Sequence, residues 1–114
     1  MPRNKKVPAI RDFVKALKKL REIKVQKTCT DNGEELYGFQ ELDKIGIAIR
    51  TCMIDGGPDL AVSVLIHELV HYINPNLSEE EVNEVTEGCM RSYKLRYLCA
   101  LELIYALSRK AGLI

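Results

Sequence analysis

The chain is predicted to be an α+β fold. It is expected to run as an N-terminal helix, a three-stranded antiparallel sheet, a helix bearing a His-Glu-x-x-His motif, and one or more C-terminal helices. Three observations predict this. Apolar residues recur at three- and four-residue spacing over residues 9–23 and again after Ser78. Between Ile23 and Cys52 the rhythm changes to two residues. The run Asp55-Gly56-Gly57-Pro58-Asp59 then separates the strand-like half from the helical half.

Residues 1–7 form a basic tail expected to be mobile. In residues 9–23, Ile10, Phe13, Val14, Leu17 and Leu20 make one apolar face, and Arg11, Lys15, Lys18, Lys19 and Glu22 make the other. Residues 23–30, 36–42 and 44–52 are the three strand candidates, read as an antiparallel meander. The turn between the first two contains Asn32-Gly33, a pair that favours positive φ. Gly38 and Gly46 mark a bulge or a close approach of backbones.

Pro58 suits the first turn of a helix, with Gly57 or Asp55 near its cap. Pro75 disfavours helical geometry at Asn74, so this helix should stop at about Ile73. Ser78 with Glu81 three residues on reads as a capping box. The helix they start carries Val82, Val85, Cys89 and Tyr93 on one face, with Gly88 a weak point. Residues 97–107 are apolar nearly all round except for Glu102. They should therefore be covered by the core or by another subunit.

With 114 residues, the chain suits one domain spanning residues 1–114. No run of about 18 apolar residues is present for a membrane span, and the basic start has no apolar core behind it. A cytoplasmic location is expected, in the host cell if the protein is of phage or viral origin. Cys29, Cys52, Cys89 and Cys99 are widely spaced, and we read them as reduced and mostly buried. Net charge is +1 but strongly segregated: residues 1–30 carry ten Lys/Arg against two acids, residues 31–87 two against thirteen, and residues 88–114 five against one, so +8, −11 and +4.

The chemistry concentrates in residues 64–73, Val-Leu-Ile-His-Glu-Leu-Val-His-Tyr-Ile. His67 and His71, the only histidines of the chain, fall about one helical turn apart on one face. Two imidazoles so placed can bind one Zn²⁺. Glu68 projects about 100° round the helix from His67, suited to a general base that takes a proton from a zinc-bound water. The bland alternative is a core helix whose histidines are satisfied by hydrogen bonds, which requires a partner for each buried polar group.

With no third histidine, the third ligand must be a carboxylate or a cysteine. The connection at residues 74–77 is short, so the next helix should return antiparallel with its first turn near His71. Glu79 lies three residues before Val82 and shares its inward side, whereas Glu80 and Glu84 point outward and Glu81 serves the cap. Glu79 is the favoured ligand. Glu80, Glu81, Glu87 or a cysteine remain alternatives, and a cluster of acids at a helix N-terminus needs no metal at all.

The motif of His67, Glu68 and His71 resembles that of the zincin metallopeptidases. Together with Glu79-Glu80-Glu81-Val82-Asn83 and Val85-Thr86-Glu87-Gly88, it resembles small phage-type and ImmA/IrrE-like members. In these a glutamate, followed three residues later by an apolar residue and then often Asn, supplies the third ligand. The pattern falls on Glu79, Val82 and Asn83. The resemblance covers residues 60–90 and implies a minimal zincin-like fold and peptide-bond hydrolysis. There is no second histidine pair and no His-x-x-Gly-x-x-His extension, so metzincin and standard SprT-like ligand sets are excluded.

Three function classes follow. The first is a minimal zinc metallopeptidase acting on a peptide or protein, with a substrate strand added to an exposed sheet edge and Tyr72, Tyr93 or Tyr97 as candidate oxyanion stabilisers. The second is a catalytically silent, zinc-stabilised interaction module that binds a partner or a second copy through residues 97–107. The third is a DNA-associated protease, resting on the basic first helix alone; no aromatic residues are interleaved there to stack on bases.

Overall fold

The computed structural model describes residues 7–113, so most of the basic tail expected at residues 1–7 lies outside the described part. Five helices and five short strands follow one another as α1 (Ile10–Lys19), β1 (Glu22–Gln26), β2 (Cys29–Asp31), β3 (Glu34–Leu36), β4 (Gly38–Glu41), β5 (Lys44–Ala48), α2 (Ile49–Asp55), α3 (Pro58–Ile73), α4 (Glu79–Cys89) and α5 (Tyr93–Lys110). The α+β class is as expected; the sheet is not.

The three-stranded sheet has the order β1-β5-β4 and is mixed: β1 runs parallel to β5, and β4 antiparallel to it. The antiparallel meander is thus corrected. The reason lies in β5, whose Ile45, Gly46, Ile47 and Ala48 are all buried. So apolar a strand takes the centre, and the strands bearing Glu22, Lys24, Gln40 and Glu41 take the edges, where charge is tolerated. The first strand candidate divides at residues 27–28. Its second part pairs with β3 in a separate hairpin, closed by Asn32 (φ 53°) and Gly33 (φ 83°) as the Asn-Gly pair suggested. The third candidate ends at Ala48; its last residues wind into α2, where Cys52 reaches the core.

Helix α3 has the bounds its flanking residues imply, with Gly57 (φ 80°) before it, Pro58 in its first turn and Asn74 at its end. Ala61, Val62, Val64, Leu65, Ile66, Leu69 and Val70 are buried, because α1, α2, α4, α5, β4 and β5 all pack on this helix. It is the axis of the core. Helix α4 starts with the expected capping box: Glu81 N–H donates to Ser78 Oγ at 3.1 Å, and Ser78 N–H to Glu81 Oε1 at 2.9 Å. It runs through Gly88 without interruption, but Tyr93 belongs to α5 and is exposed.

Helix α5 buries Leu95, Cys99 and Leu103, and leaves Leu101, Ile104, Tyr105 and Leu107 exposed. The core therefore covers one side of residues 97–107, not all of it. All four cysteines are buried and none is disulfide-bonded. Among the described residues, no helix is long and apolar enough to cross a membrane.

Gly38 is a close approach rather than a bulge: a Cβ there would lie 2.7 Å from the Gly46 carbonyl oxygen and 2.8 Å from Val64 Cγ1. Among the described residues, a Cβ at Gly88 would meet only Val7 Cγ2, at 3.8 Å. Alanine substitution should thus have opposite signs at these two glycines. Gly38→Ala is expected to cost about 1–3 kcal/mol by overpacking, and Gly88→Ala to add about 0.5–1 kcal/mol in the helix interior. Urea melts of the two variants measure both.

Candidate metal centre

The buried helix α3 turns one polar edge toward solvent, and α4 closes over it. His67 and His71 sit at successive turns of that edge, with ring centroids 4.9 Å apart and planes at 70°. The antiparallel return at residues 74–78 brings the first turn of α4 over them. There the Glu79 carboxylate spans both rings: Oε2 lies 2.8 Å from His67 Nε2 and Oε1 lies 2.9 Å from His71 Nε2. One ligand atom from each of the three residues lies within 4.8 Å of the other two. No other such group of His, Cys, Asp and Glu forms among the described residues.

The donor set fits a zinc ion in kind: two imidazoles and a carboxylate, with room for a fourth position. In a tetrahedron with bonds of 2.0–2.1 Å, neighbouring ligand atoms stand roughly 3.3 Å apart. The observed separations of 2.8 and 2.9 Å require Glu79 to draw back by about half an ångström for an ion to enter. Its side chain is 67% exposed, so little packing resists that movement.

Burial acts on the centre from below. It holds His67 below its ordinary pKa, against the opposing pull of Glu79, which favours a neutral ligand nitrogen. Glu68 is 9% exposed, and its pKa is pushed up to about 7, by burial first and by the charge of Glu79 second. It lines a cavity of about 330 Å³ together with His67 and Glu79. A carboxylate at the cavity wall with a pKa near neutrality is suited to taking and returning protons at pH 7.

The other ligand candidates lie elsewhere. Glu81 is held by the cap, and Glu80 and Glu87 line a second cavity beside His67 without joining the three-residue group. No cysteine joins it either. Tyr72 is half-buried beside His71 and lines neither cavity; Tyr93 and Tyr97 are exposed on α5. Tyr37 does line the first cavity, and its hydroxyl donates to Asp55 Oδ2 at 2.9 Å. Neither this tyrosine nor the cavity was foreseeable, because Tyr37 precedes Glu68 by thirty-one positions and no local pattern links them. Compared with protein-family models, with characterised proteins and with solved structures, the chain matches none.

Two outcomes are expected. Glu79→Gln should weaken zinc binding far more than Glu80→Gln, since only Glu79 spans the imidazoles; Glu81→Gln should leave zinc affinity intact and cost at most about 1 kcal/mol as a lost cap. Zinc titrations and melts separate the three.

The second concerns the metal-free protein. Between the ordinary value of 4.5 and about 7, the folded chain keeps a Glu68 proton that the unfolded chain releases. Stability therefore falls as pH rises through that window, by on the order of 3 kcal/mol. Glu68→Gln should abolish the decline, read from chelator-treated protein melted at pH 4.5, 6 and 8.

Proposed function

We propose that this protein is a zinc hydrolase and, more narrowly, a minimal peptidase of zincin type. The observation that carries the reading is the convergence of His67 Nε2, His71 Nε2 and the Glu79 carboxylate within 4.8 Å, with the buried Glu68 in the wall of the adjoining cavity. His67, His71 and Glu79 would hold the ion. When bound, it would polarise the substrate carbonyl and acidify the attacking water.

The rest falls to the chain's own residues. Glu68 accepts the proton of the water as its oxygen bonds to the carbonyl carbon, then delivers it to the amine nitrogen as the C–N bond breaks. A substrate strand fits beside β4, whose outer edge is unpaired in the sheet order. The Ala48 N–H donates to the Tyr37 carbonyl at 2.8 Å, so by antiparallel alternation Gly38 and Gln40 direct their backbone groups outward. These are available to hold an extended peptide across α3.

A partner-binding module held together by zinc is the second reading. It is favoured by Tyr93, Tyr97, Leu101, Ile104 and Tyr105 along α5, all exposed, with Arg96 and Arg109 lying over the Tyr93 and Tyr105 rings.

The expected result is one zinc per chain, lost in His67→Ala and in His71→Ala. Glu68→Gln should keep the zinc and lose hydrolysis of unfolded protein by at least about a hundredfold, the usual weight of a general base. Metal analysis and a fluorogenic casein assay on the same preparations decide between the readings: zinc without any hydrolysis in wild type favours the binding module.

A further inference from the structure

The metal centre takes up one end of a polar seam between α3 and α4, and the residues at the other end bear on its chemistry. Ser63, His67 and His71 follow at four-residue spacing on α3 and share one edge of that helix. Glu79 and Asn83 are spaced alike on α4. Where the two edges face each other, Glu79 Oε2 lies 2.8 Å from His67 Nε2. One turn further along α4, Asn83 takes the place beside Ser63 and His67. These three residues line both cavities that flank the centre, one of about 330 Å³ and the other of about 460 Å³. Asn83 is exposed, whereas its neighbours Val82 and Val85 are buried. Its carboxamide therefore points into the open part of the seam, and Nδ2 can donate two hydrogen bonds there.

The first cavity runs from Gly38 on β4, across Val64 and His67 of α3, to Glu79 and Asn83 of α4. A peptide strand lying in it has two edges. One edge meets the outward backbone groups of Gly38 and Gln40. Alternate residues of a strand turn their N–H and C=O the other way. In this trough the other way is toward α4, where Glu79 and Asn83 stand. The uncharged side-chain donors lining the cavity are Tyr37, Ser63 and Asn83. The Tyr37 hydroxyl is engaged with Asp55, and Ser63 lies on the α3 floor. Asn83 alone of the three sits on the wall that the turned carbonyls face.

Resting on the peptidase reading above, we propose that Asn83 is a catalytic residue whose amide receives the oxygen of the scissile carbonyl as it becomes an anion. When the water oxygen bonds to the carbonyl carbon, the π pair of the C=O moves onto the carbonyl oxygen, and Asn83 Nδ2–H donates to it. When the C–N bond breaks, that pair restores the C=O. The Asn83 proton stays on its nitrogen throughout, while the proton of the water passes by way of Glu68 to the amine. A donor fixed on a helix acts on the charge that develops in the transition state more than on the neutral carbonyl.

The test uses a fluorogenic peptide built on the casein site that wild type cleaves fastest. Zinc content and melting are measured on the same preparations. Asn83→Ala should keep its zinc and lower kcat and kcat/KM equally, by about 100- to 1,000-fold, the weight of one oxyanion donor. Asn83→Leu, which keeps the shape and removes the donor, should match it. Asn83→Asp, which puts a carboxylate against the developing anion, should be at least as slow. A phosphinic analogue of the same peptide, tetrahedral and anionic at the scissile position, should bind Asn83→Ala at least about tenfold more weakly than wild type. Wild-type kcat in Asn83→Ala, or a loss confined to KM, would overturn the proposal and leave the peptidase reading standing. Loss of zinc in both Asn83→Ala and Asn83→Leu would also overturn it, because Asn83 would then be holding the centre together. A wild type that keeps zinc and cleaves nothing would overturn the peptidase reading, and the proposal with it.

Discussion

The contact on which the molecule depends is the Glu79 carboxylate laid across His67 and His71, at 2.8 and 2.9 Å. Helix α3 is packed on nearly every side, and its histidines sit at the one edge left open. A neutral or charged imidazole at such an edge needs a partner, and a glutamate supplies one oxygen to each ring. The same contact ties the start of α4 to the end of α3 and so helps hold the α3–α4 hairpin shut. The carboxylate that makes this bridge is also the one that a divalent ion would turn into a ligand.

The position of this contact is set by the geometry of the turn. Pro75 ends α3 at Ile73, and Ser78 with Glu81 begins α4 five residues later. So short a connection leaves α4 only the antiparallel return, and Glu79 is then the first inward-facing carboxylate to pass the histidines. Glu81, about 200° round the helix from Glu79, faces away from the histidines and accepts from the Ser78 N–H. The capping box thus fixes the start of α4 without drawing on the carboxylate that faces the histidines.

The remaining architecture builds a trough around that centre. Helix α3 is the floor, α4 one wall and the edge strand β4 the other, with Gly38 close enough to Val64 that no side chain fits between them. Five of the thirteen acids of residues 31–87 lie on α4, at Glu79, Glu80, Glu81, Glu84 and Glu87, while the basic face of α1 and the basic residues near the ends of α5 lie on other elements. The α4 carboxylates beside the His67–His71–Glu79 group make the local field one that favours a cation.

The sequence by itself determined whatever depends on near neighbours. The limits of α3 follow from Gly57, Pro58 and Pro75, the start of α4 from Ser78 and Glu81, the hairpin turn from Asn32-Gly33, and the pairing of His67 with His71 from helical pitch. Glu79 could be reached as well, because only a few residues separate it from His71. Tertiary structure decided what depends on distant partners. That β5 lies between β1 and β4, with β1 parallel to it, reflects a competition among strands for the most buried place, which the alternating pattern within each strand does not encode. The turn of Ile49 into helix α2 was hidden because Ile45, Ile47 and Ile49 continue a two-residue rhythm past the real strand end. The one-sided covering of α5 depends on how many neighbours a small domain can offer. Tyr37, Leu36 and Asn83 meet beside His67 only because β4 and α4 pack on opposite sides of α3, so the two cavities belong to the fold and to no segment of it.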